Sequence, residues 1–151
     1  MTQEEKDLLI KDLCTRLPYN VICQVEFKEN GKYNSKVMLL SGIFTDEAYF
    51  TTKGGSIYSN EYKPYLFPLS SMSDEQKREF YKFFEEGITE SANETRQWLR
   101  TKKADETRRP VTIAYIMVHK LVIEWLLKNH FDINGLISIG LAIDATGLNI
   151  Y

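Results

Sequence analysis

Apolar residues near the start of the chain recur at the spacing of an amphipathic helix. Five of them share one helical face: Leu9, Ile10, Leu13, Cys14 and Leu17. Thr2 and Glu5 form the capping-box pattern, in which each side chain accepts a hydrogen bond from the other residue's backbone. Pro18 cannot continue a helix because it lacks a backbone donor. The pattern predicts a helix over 2–17 whose apolar face is buried.

Residues 21–27 change to the two-residue alternation of a strand, with apolar side chains at the odd positions. Asn30 and Gly31 tolerate positive φ, so they predict a tight turn into a second strand. This second strand, over 35–44, is apolar almost throughout. Strands of that kind lie inside a sheet, so we expect the second strand to be central and covered on both faces.

The next segment predicts the remaining strands of an antiparallel meander. Residues 48–52 are largely aromatic and β-branched, as is typical of strands. Ile57 begins a fourth strand, which we expect to run on into 62–69. Pro64 and Pro68 remove two backbone donors from that last segment. We therefore expect 62–69 to be an edge strand or an extended crossover rather than a central strand.

A second helix is predicted directly after this proline-containing segment. Ser73 and Gln76 repeat the capping-box pattern at its start. Gly87 is predicted to end it, because glycine readily adopts the left-handed conformation of a helix C-cap. The expected helix covers 73–86.

Residues 88–110 form a polar and basic insert. The candidate nucleic-acid-binding residues are Arg96, Trp98, Arg100, Lys102, Lys103, Arg108 and Arg109. A basic segment with an interleaved aromatic residue can follow a nucleic-acid backbone and stack on a base. The alternative is a solvated loop or helix that Trp98 and Leu99 anchor to the body of the protein.

The rest of the chain is largely apolar. Residues 111–118 are rich in β-branched residues, so we expect this segment to open as a strand. The pattern then becomes that of a mostly buried helix that ends near His130. Asn134 and Gly135 predict a turn, and 136–143 is expected to form a short helix.

Composition limits the class of protein. The chain has 151 residues and a net charge of −2, so it can bury a core and has no overall field directed toward nucleic acid or membrane. It shows neither a secretory signal pattern nor an apolar run that reaches the length of a membrane span. We expect one cytoplasmic α+β domain over 1–151, with the small antiparallel meander packed against the N-terminal helix and the C-terminal helices. Cys14 and Cys23 are expected to be reduced and buried.

The sequence contains one candidate polar site for catalysis or ligand binding. No metal-binding or cofactor-binding motif occurs, so neither a metal nor a cofactor is predicted. His130 is followed by Asp132, and an imidazole beside a carboxylate can act as an acid–base or ligand pair. The alternative is a histidine at a helix end that interacts with backbone carbonyl groups.

Three segments of the chain carry a resemblance to a known family. They are LLIKDLCTRLPY at 8–19, KPYLFPLSSMSDEQ at 63–76, and WLLKNHFDINGL at 125–136 with GLA at 140–142. In this order the segments resemble a family of small uncharacterised proteins from gut anaerobic bacteria and their bacteriophages. The resemblance implies a bacterial or phage cytoplasmic setting and a variable middle over 88–118. It implies no activity and no catalytic residue.

Three functional hypotheses follow. The sequence favours a non-catalytic accessory module that binds another protein, because it has a complete core pattern without a chemical constellation. The alternative is a nucleic-acid-binding accessory protein that uses the basic 96–109 segment, with an affinity that falls steeply with salt. The third is an enzyme of unfamiliar type that uses His130 and Asp132. Self-association through an exposed strand at 62–69 would give a homo-oligomer.

Overall fold

The computed structural model describes residues 1–44, 47–52, 55–101 and 108–151, with the backbone alone at 52, 90–92, 94–101 and 108–117. These residues form two compact units, one of 1–71 with 127–151 and the other of 72–126. The described part combines helices with a mostly antiparallel sheet, which confirms the α+β prediction. The prediction of a single domain stays a prediction.

The first unit is built on a six-stranded sheet within the described residues. In chain order its strands are β1 Ile22–Glu29, β2 Lys32–Phe44, β3 Glu47–Thr52, β4 Gly55–Ser59, β5 Tyr62–Leu66 and β6 Ile143–Asp144. Their order across the sheet is β4-β3-β2-β1-β5-β6. All neighbours are antiparallel except β5 and β6, so β1 to β4 form the predicted meander.

The β1–β2 hairpin follows directly from its turn residues. Asn30 has φ 50 and Gly31 has φ 78, so both central residues of the turn are left-handed. That conformation matches the twist of the flanking strands, and asparagine followed by glycine adopts it with little strain. The register is thereby set from the turn outward, beginning with Glu29 opposite Lys32.

The expectation that the fourth strand runs on into 62–69 is wrong. The hydroxyl group of Ser59 donates to the backbone oxygen of Glu26 (2.8 Å) and accepts from the backbone nitrogen of Glu61 (3.0 Å). These bonds turn the chain from β4 to the far side of β1, where β5 pairs. β5 is also not an edge strand, because β6 pairs with it along Tyr65 and Leu66.

The N-terminal helix, α1, spans Gln3–Arg16, and a 3-10 turn at Leu17–Tyr19 follows it. The predicted capping box is confirmed, since Thr2 and Glu5 exchange backbone-to-side-chain hydrogen bonds of 2.6 and 3.2 Å. The buried face differs from the predicted one, and consists of Leu9, Asp12, Leu13 and Arg16. Cys14 lies off this face and is exposed, so the prediction that it is buried is wrong.

The core of the first unit lies between α1, one face of the sheet and the segment 136–142. Its buried members are Leu9, Leu13, Val21, Cys23, Val25, Met38, Leu40, Ala48, Phe50, Tyr62, Leu66, Leu136, Leu141 and Ala142. Each fully buried aliphatic or aromatic side chain contributes about 1.5–3 kcal/mol. This burial holds α1 and the C-terminal segment on the same face of the sheet.

The predicted helix at 136–143 is wrong, because the segment forms consecutive turns that lead into β6. Gly135 and Gly140 have φ values of 72 and 76, which interrupt a right-handed helix at both positions. Leu136 and Leu141 are nevertheless buried in the core. The apolar run therefore reflects burial without helical periodicity.

The second unit contains two helices in its described part, α2 at Asp74–Thr101 and most of α3, which spans Arg108–Lys128. The capping box between Ser73 and Gln76 is confirmed. The predicted stop at Gly87 is wrong, since α2 continues for several turns beyond it. A Cβ atom at Gly87 would lie 3.1 Å from Cδ1 of Leu121, so this buried glycine allows the two helices to approach closely.

The expected strand at 111–118 is also wrong, because these residues belong to α3. Pro110 lies in the first turn of that helix, where no intrahelical bond needs its missing N–H group. β-Branched residues lower helix propensity only slightly, so they do not prevent a helix that packs well. Trp125 of α3 contacts Phe80 of α2 edge-on, with 5.1 Å between ring centroids.

Candidate functional site

A buried polar cluster joins α1 to the loop at 130–134. The Arg16 guanidinium donates to the Asp12 carboxylate through Nε (2.6 Å) and Nη2 (3.1 Å), and both side chains are 0% exposed. Nη2 also donates to the backbone oxygen of Phe131 (2.9 Å). The Asn134 amide donates to the same carboxylate (2.7 Å). This cluster was not predicted from the sequence, although Asp12 and Arg16 have the four-residue spacing of a helical ion pair.

His130 lies beside this cluster in a left-handed conformation, with φ 59. Its ring stacks on Tyr151 with 3.7 Å between centroids, and its buried Nδ1 atom has no hydrogen-bond partner among the described residues. Burial, and secondarily the positive charge of Arg16, lower the pKa of His130 to about 4. The Tyr151 hydroxyl donates to the backbone oxygen of Tyr65 (2.7 Å) and accepts from Ile22 N (3.3 Å). Because its pKa is lowered to about 4, the His130 imidazole is neutral at pH 7.

Asp132 has a different set of contacts. Its two carboxylate oxygens accept hydrogen bonds from the backbone nitrogens of Leu136 and Ile137, both at 2.9 Å. No hydrogen bond joins the side chains of His130 and Asp132, although the structure describes both. The carboxylate stabilises the turns that follow it, and this geometry gives the acid–base hypothesis no support.

The basic segment is described only in part. Arg96, Trp98 and Arg100 lie on α2, and Arg108 and Arg109 open α3, but the structure describes none of their side chains. The two lysines at 102 and 103 lie outside the described residues. The nucleic-acid-binding hypothesis therefore stays a prediction.

The two cysteines differ sharply in exposure. Cys14 is exposed on α1, whereas Cys23 is buried in β1 and burial raises the pKa of its thiol. Because the thiolate is the reactive form, we expect one thiol per native chain to react rapidly with a disulfide reagent at pH 7. Cys14→Ser should remove that rapid reaction, and Cys23 should react only after unfolding in urea. Two rapidly reacting thiols in the native protein would contradict this placement.

An aromatic patch lies on the face of the sheet opposite the core. Tyr49 and Tyr58 face each other across β3 and β4, with 4.9 Å between their ring centroids. Phe44 lies 6.3 Å from Tyr58, and its ring covers the position where a Cβ atom at Gly42 would stand. Phe44 and Tyr58 are each 58% exposed. We call Phe44, Tyr49 and Tyr58 the sheet aromatic patch.

The same face exposes Val37, which is 52% accessible to solvent. Its neighbours Met38 and Leu40 point to the core, so β2 is buried on one face only. The expectation that β2 is covered on both faces is wrong.

The described residues of the first unit line at least two open cavities. One, of about 460 Å³, is lined by residues of the N-terminus, β1, the 60–63 segment and 139–141. The other, of about 530 Å³, is lined by 26–28 of β1, Tyr33 of β2, Glu47 of β3 and 56–61; we call it the edge groove. Neither His130 nor Asp132 lines either of them.

The described residues include no group of three histidine, cysteine, aspartate or glutamate side chains placed to hold a metal ion. None of their helices is both long enough and apolar enough to span a bilayer. No protein-family model, curated protein or solved structure matches the chain significantly.

Proposed function

We propose that the protein is a non-catalytic accessory module that binds another protein through the sheet aromatic patch. The observation that carries this proposal is the contact of the Tyr58 ring with both Phe44 and Tyr49 on the outer sheet face, where Phe44 and Tyr58 are exposed. Contiguous exposed apolar surface marks interaction sites on soluble proteins. Tyrosine and phenylalanine are enriched in protein interfaces because they supply a large contact area at a low cost in side-chain entropy.

The charge of this surface favours a protein partner over nucleic acid. Binding to a nucleic-acid backbone depends on lysine and arginine side chains that neutralise phosphates. The patch itself carries no charge, and the adjoining carboxylate of Glu47 is negative. A phosphate backbone would therefore find no counter-charge here, whereas an apolar protein surface would be complementary.

The placement of the polar groups supports a non-catalytic role. The buried polar side chains Asp12 and Arg16 bind each other and neighbouring polar groups, and they line neither cavity. The bacterial or phage cytoplasmic setting belongs to the same proposal and rests on the resemblance of the three segments at 8–19, 63–76 and 125–142. An accessory module of this kind acts by positioning its protein partner or by stabilising one conformation of that partner.

The proposal can be tested with a matched pair of variants. The tagged protein, its Phe44→Ser/Tyr58→Ser variant and its Tyr81→Ser variant would be used to capture partners from host lysate, with and without nuclease. Tyr81 is a suitable control because it is 63% exposed and lies on α2, outside the patch. Truncation of these two aromatics should weaken binding of the recovered partner at least about thirtyfold, since about 2 kcal/mol is lost if even one of them is a hot-spot residue.

The expected result is one partner that the wild type and Tyr81→Ser retain equally and the patch variant loses, measured by calorimetry with the purified partner. Equal binding to the patch variant would refute the proposal. Material that is lost after nuclease treatment would favour the nucleic-acid alternative. In that case neutralisation of the basic residues at 96–109 becomes the deciding variant.

A further inference from the structure

Two free strand edges of the first unit border the edge groove. β4 stands at the end of the sheet order, so its outer edge has no partner strand among the described residues. β1 pairs with β5 along Cys23 to Val25, and Glu26 N donates to the backbone oxygen of Glu61 (2.8 Å), so the same holds for this side of β1 only from Phe27 onward. The Ser59 hydroxyl, bonded to the backbone oxygen of Glu26, brings the end of β4 to β1 at one end of the groove.

The lining of the groove shows that it opens onto these edges. It includes four consecutive residues of β4, 56–59, and three consecutive residues of β1, 26–28. Successive side chains of a strand point to opposite faces, so consecutive lining residues mean that the cavity lies beside the strand. Its volume of about 530 Å³ falls within the range of pockets that hold small ligands or short peptides.

β4 lacks two of the devices by which proteins usually protect an edge strand, charged residues and proline. Exposed edges are commonly blocked by charged residues, prolines or a covering segment. The β4 sequence, Gly55-Ser-Ile-Tyr-Ser59, contains neither a charge nor a proline. Its backbone can therefore accept the hydrogen-bonding pattern of an added strand.

The charges around the edge groove favour a positively charged ligand. Glu26, Glu47 and Glu61 line it against one cation, Lys28. The Lys28 ammonium lies 5.8 Å from the centroid of the Tyr33 ring and thus already has an aromatic contact. Within the described part of the chain, none of the three carboxylates belongs to an ion pair. The groove consequently presents a net negative rim to a ligand.

We propose that the edge groove binds an extended peptide segment that carries lysine or arginine residues and adds as a strand along the free edge of β4. This inference deepens the proposed protein-binding function and rests on it, since the groove adjoins the sheet aromatic patch at Tyr58. A second copy of the chain is disfavoured as the occupant, because symmetric pairing of two β4 edges would bring the two acidic rims together.

The probe is a fluorescein-labelled octapeptide of alternating valine and lysine, titrated against the full chain in low salt and followed by fluorescence anisotropy. Two comparison peptides isolate the two parts of the proposal. One replaces lysine by glutamate, and the other is N-methylated at alternate residues, which removes the donors that strand addition needs. We expect each comparison peptide to bind at least about tenfold more weakly, a difference of about 1.4 kcal/mol.

Variants locate the binding site. Glu47→Lys/Glu61→Lys should weaken the lysine peptide at least about tenfold, because it reverses two rim charges. Glu79→Lys/Glu85→Lys changes the net charge equally on the exposed surface of α2 and should leave the affinity unchanged. Amide hydrogen exchange should slow at 56–58 when the peptide is bound, and at no other strand edge.

Equal binding of the N-methylated peptide would overturn strand addition. Equal binding of the glutamate peptide, or an unaffected Glu47→Lys/Glu61→Lys variant, would overturn the charge assignment. A concentration-dependent dimer that protects 56–58 without peptide would assign the edge to a second copy instead. If no peptide binds but Phe44→Ser/Tyr58→Ser still loses its lysate partner, this inference fails while the proposed function stands.

Discussion

Arg16→Met should lower the free energy of unfolding of the first unit by about 3–5 kcal/mol, the usual cost of removing one partner from a buried ion pair. The substitution would leave the Asp12 carboxylate fully buried, with the Asn134 amide as its remaining side-chain donor. It would also remove the donor that reaches the backbone oxygen of Phe131. The attachment of α1 to the 130–134 loop would then rest on apolar contacts and on the single side-chain hydrogen bond from Asn134 to Asp12.

The measurement needs a reporter that lies in the first unit. Both tryptophans, Trp98 and Trp125, belong to the second unit, so tryptophan fluorescence follows the wrong part of the chain. Cys23 is buried in β1, and its thiol becomes reactive only when the first unit opens. Thiol labelling against urea concentration, in a Cys14→Ser background, would therefore give the required free energy.

Two further variants make the test decisive. Lys11→Met removes an exposed cation from α1, in the same unit as the Cys23 reporter, and should cost less than about 0.5 kcal/mol. Asp12→Leu combined with Arg16→Met should recover most of the loss, because replacing both buried charges by apolar groups is often close to neutral. An Arg16→Met variant as stable as Lys11→Met would contradict the structural role of the pair.

The sequence predicted α1 correctly but not the direction in which it faces. Leu9, Asp12, Leu13 and Arg16 stand at the i, i+3, i+4 and i+7 positions of one helical stripe. Asp12 and Arg16 are charged, so their hydropathy excludes them from a predicted core. The predicted apolar face therefore lay closer to Cys14 than the face that is buried. The charges can be buried only because Phe131 and Asn134 supply hydrogen bonds from the far end of the chain. No local pattern contains that information.

The strand predictions likewise succeeded where local preferences decide the structure and failed where contacts between distant residues decide it. Asn30 and Gly31 determine a turn through their own backbone preferences, so the hairpin could be predicted from two residues. The path of β5 depends instead on the Ser59 hydroxyl reaching a carbonyl group of β1. The apolar run at 136–143 is buried without forming a helix because glycines with positive φ interrupt it.

The sheet aromatic patch left a usable signal in the sequence. Tyr49 and Tyr58 fall between residues that point to the core, Phe50 and Ile57, on strands that alternate with a period of two. A strand whose solvent-facing positions are aromatic departs from the usual pattern of polar residues outside. The proposed interface could have been suspected from that departure, whereas the contact with Phe44 required the register shift between β2 and β3.

Acidification from pH 7 to pH 5 should destabilise the first unit by about 2 kcal/mol through His130 alone, at about 1.4 kcal/mol for each unit of pKa difference. The pKa of this imidazole is lowered to about 4 in the folded protein from about 6.5 in the unfolded chain. The unfolded state therefore takes up the proton first as the pH falls. Neutral His130 makes its full contribution to stability above about pH 6.5. This contribution decreases as the pH falls, and the loss reaches about 3 kcal/mol at pH 4.

His130→Asn should remove this pH dependence, and the structure explains the choice of substitution. Asparagine tolerates the left-handed conformation at this position but does not titrate. Loss of the stack on Tyr151 will lower stability at every pH, so the readout is the difference between pH 7 and pH 5 and not the absolute value. Labelling of Cys23 with a disulfide reagent that reacts in weak acid gives that difference. His119→Asn changes the other histidine of the chain, at an exposed position of α3 in the second unit, and should keep the wild-type slope of the first unit. An unchanged slope in His130→Asn would mean that other groups carry the acid sensitivity.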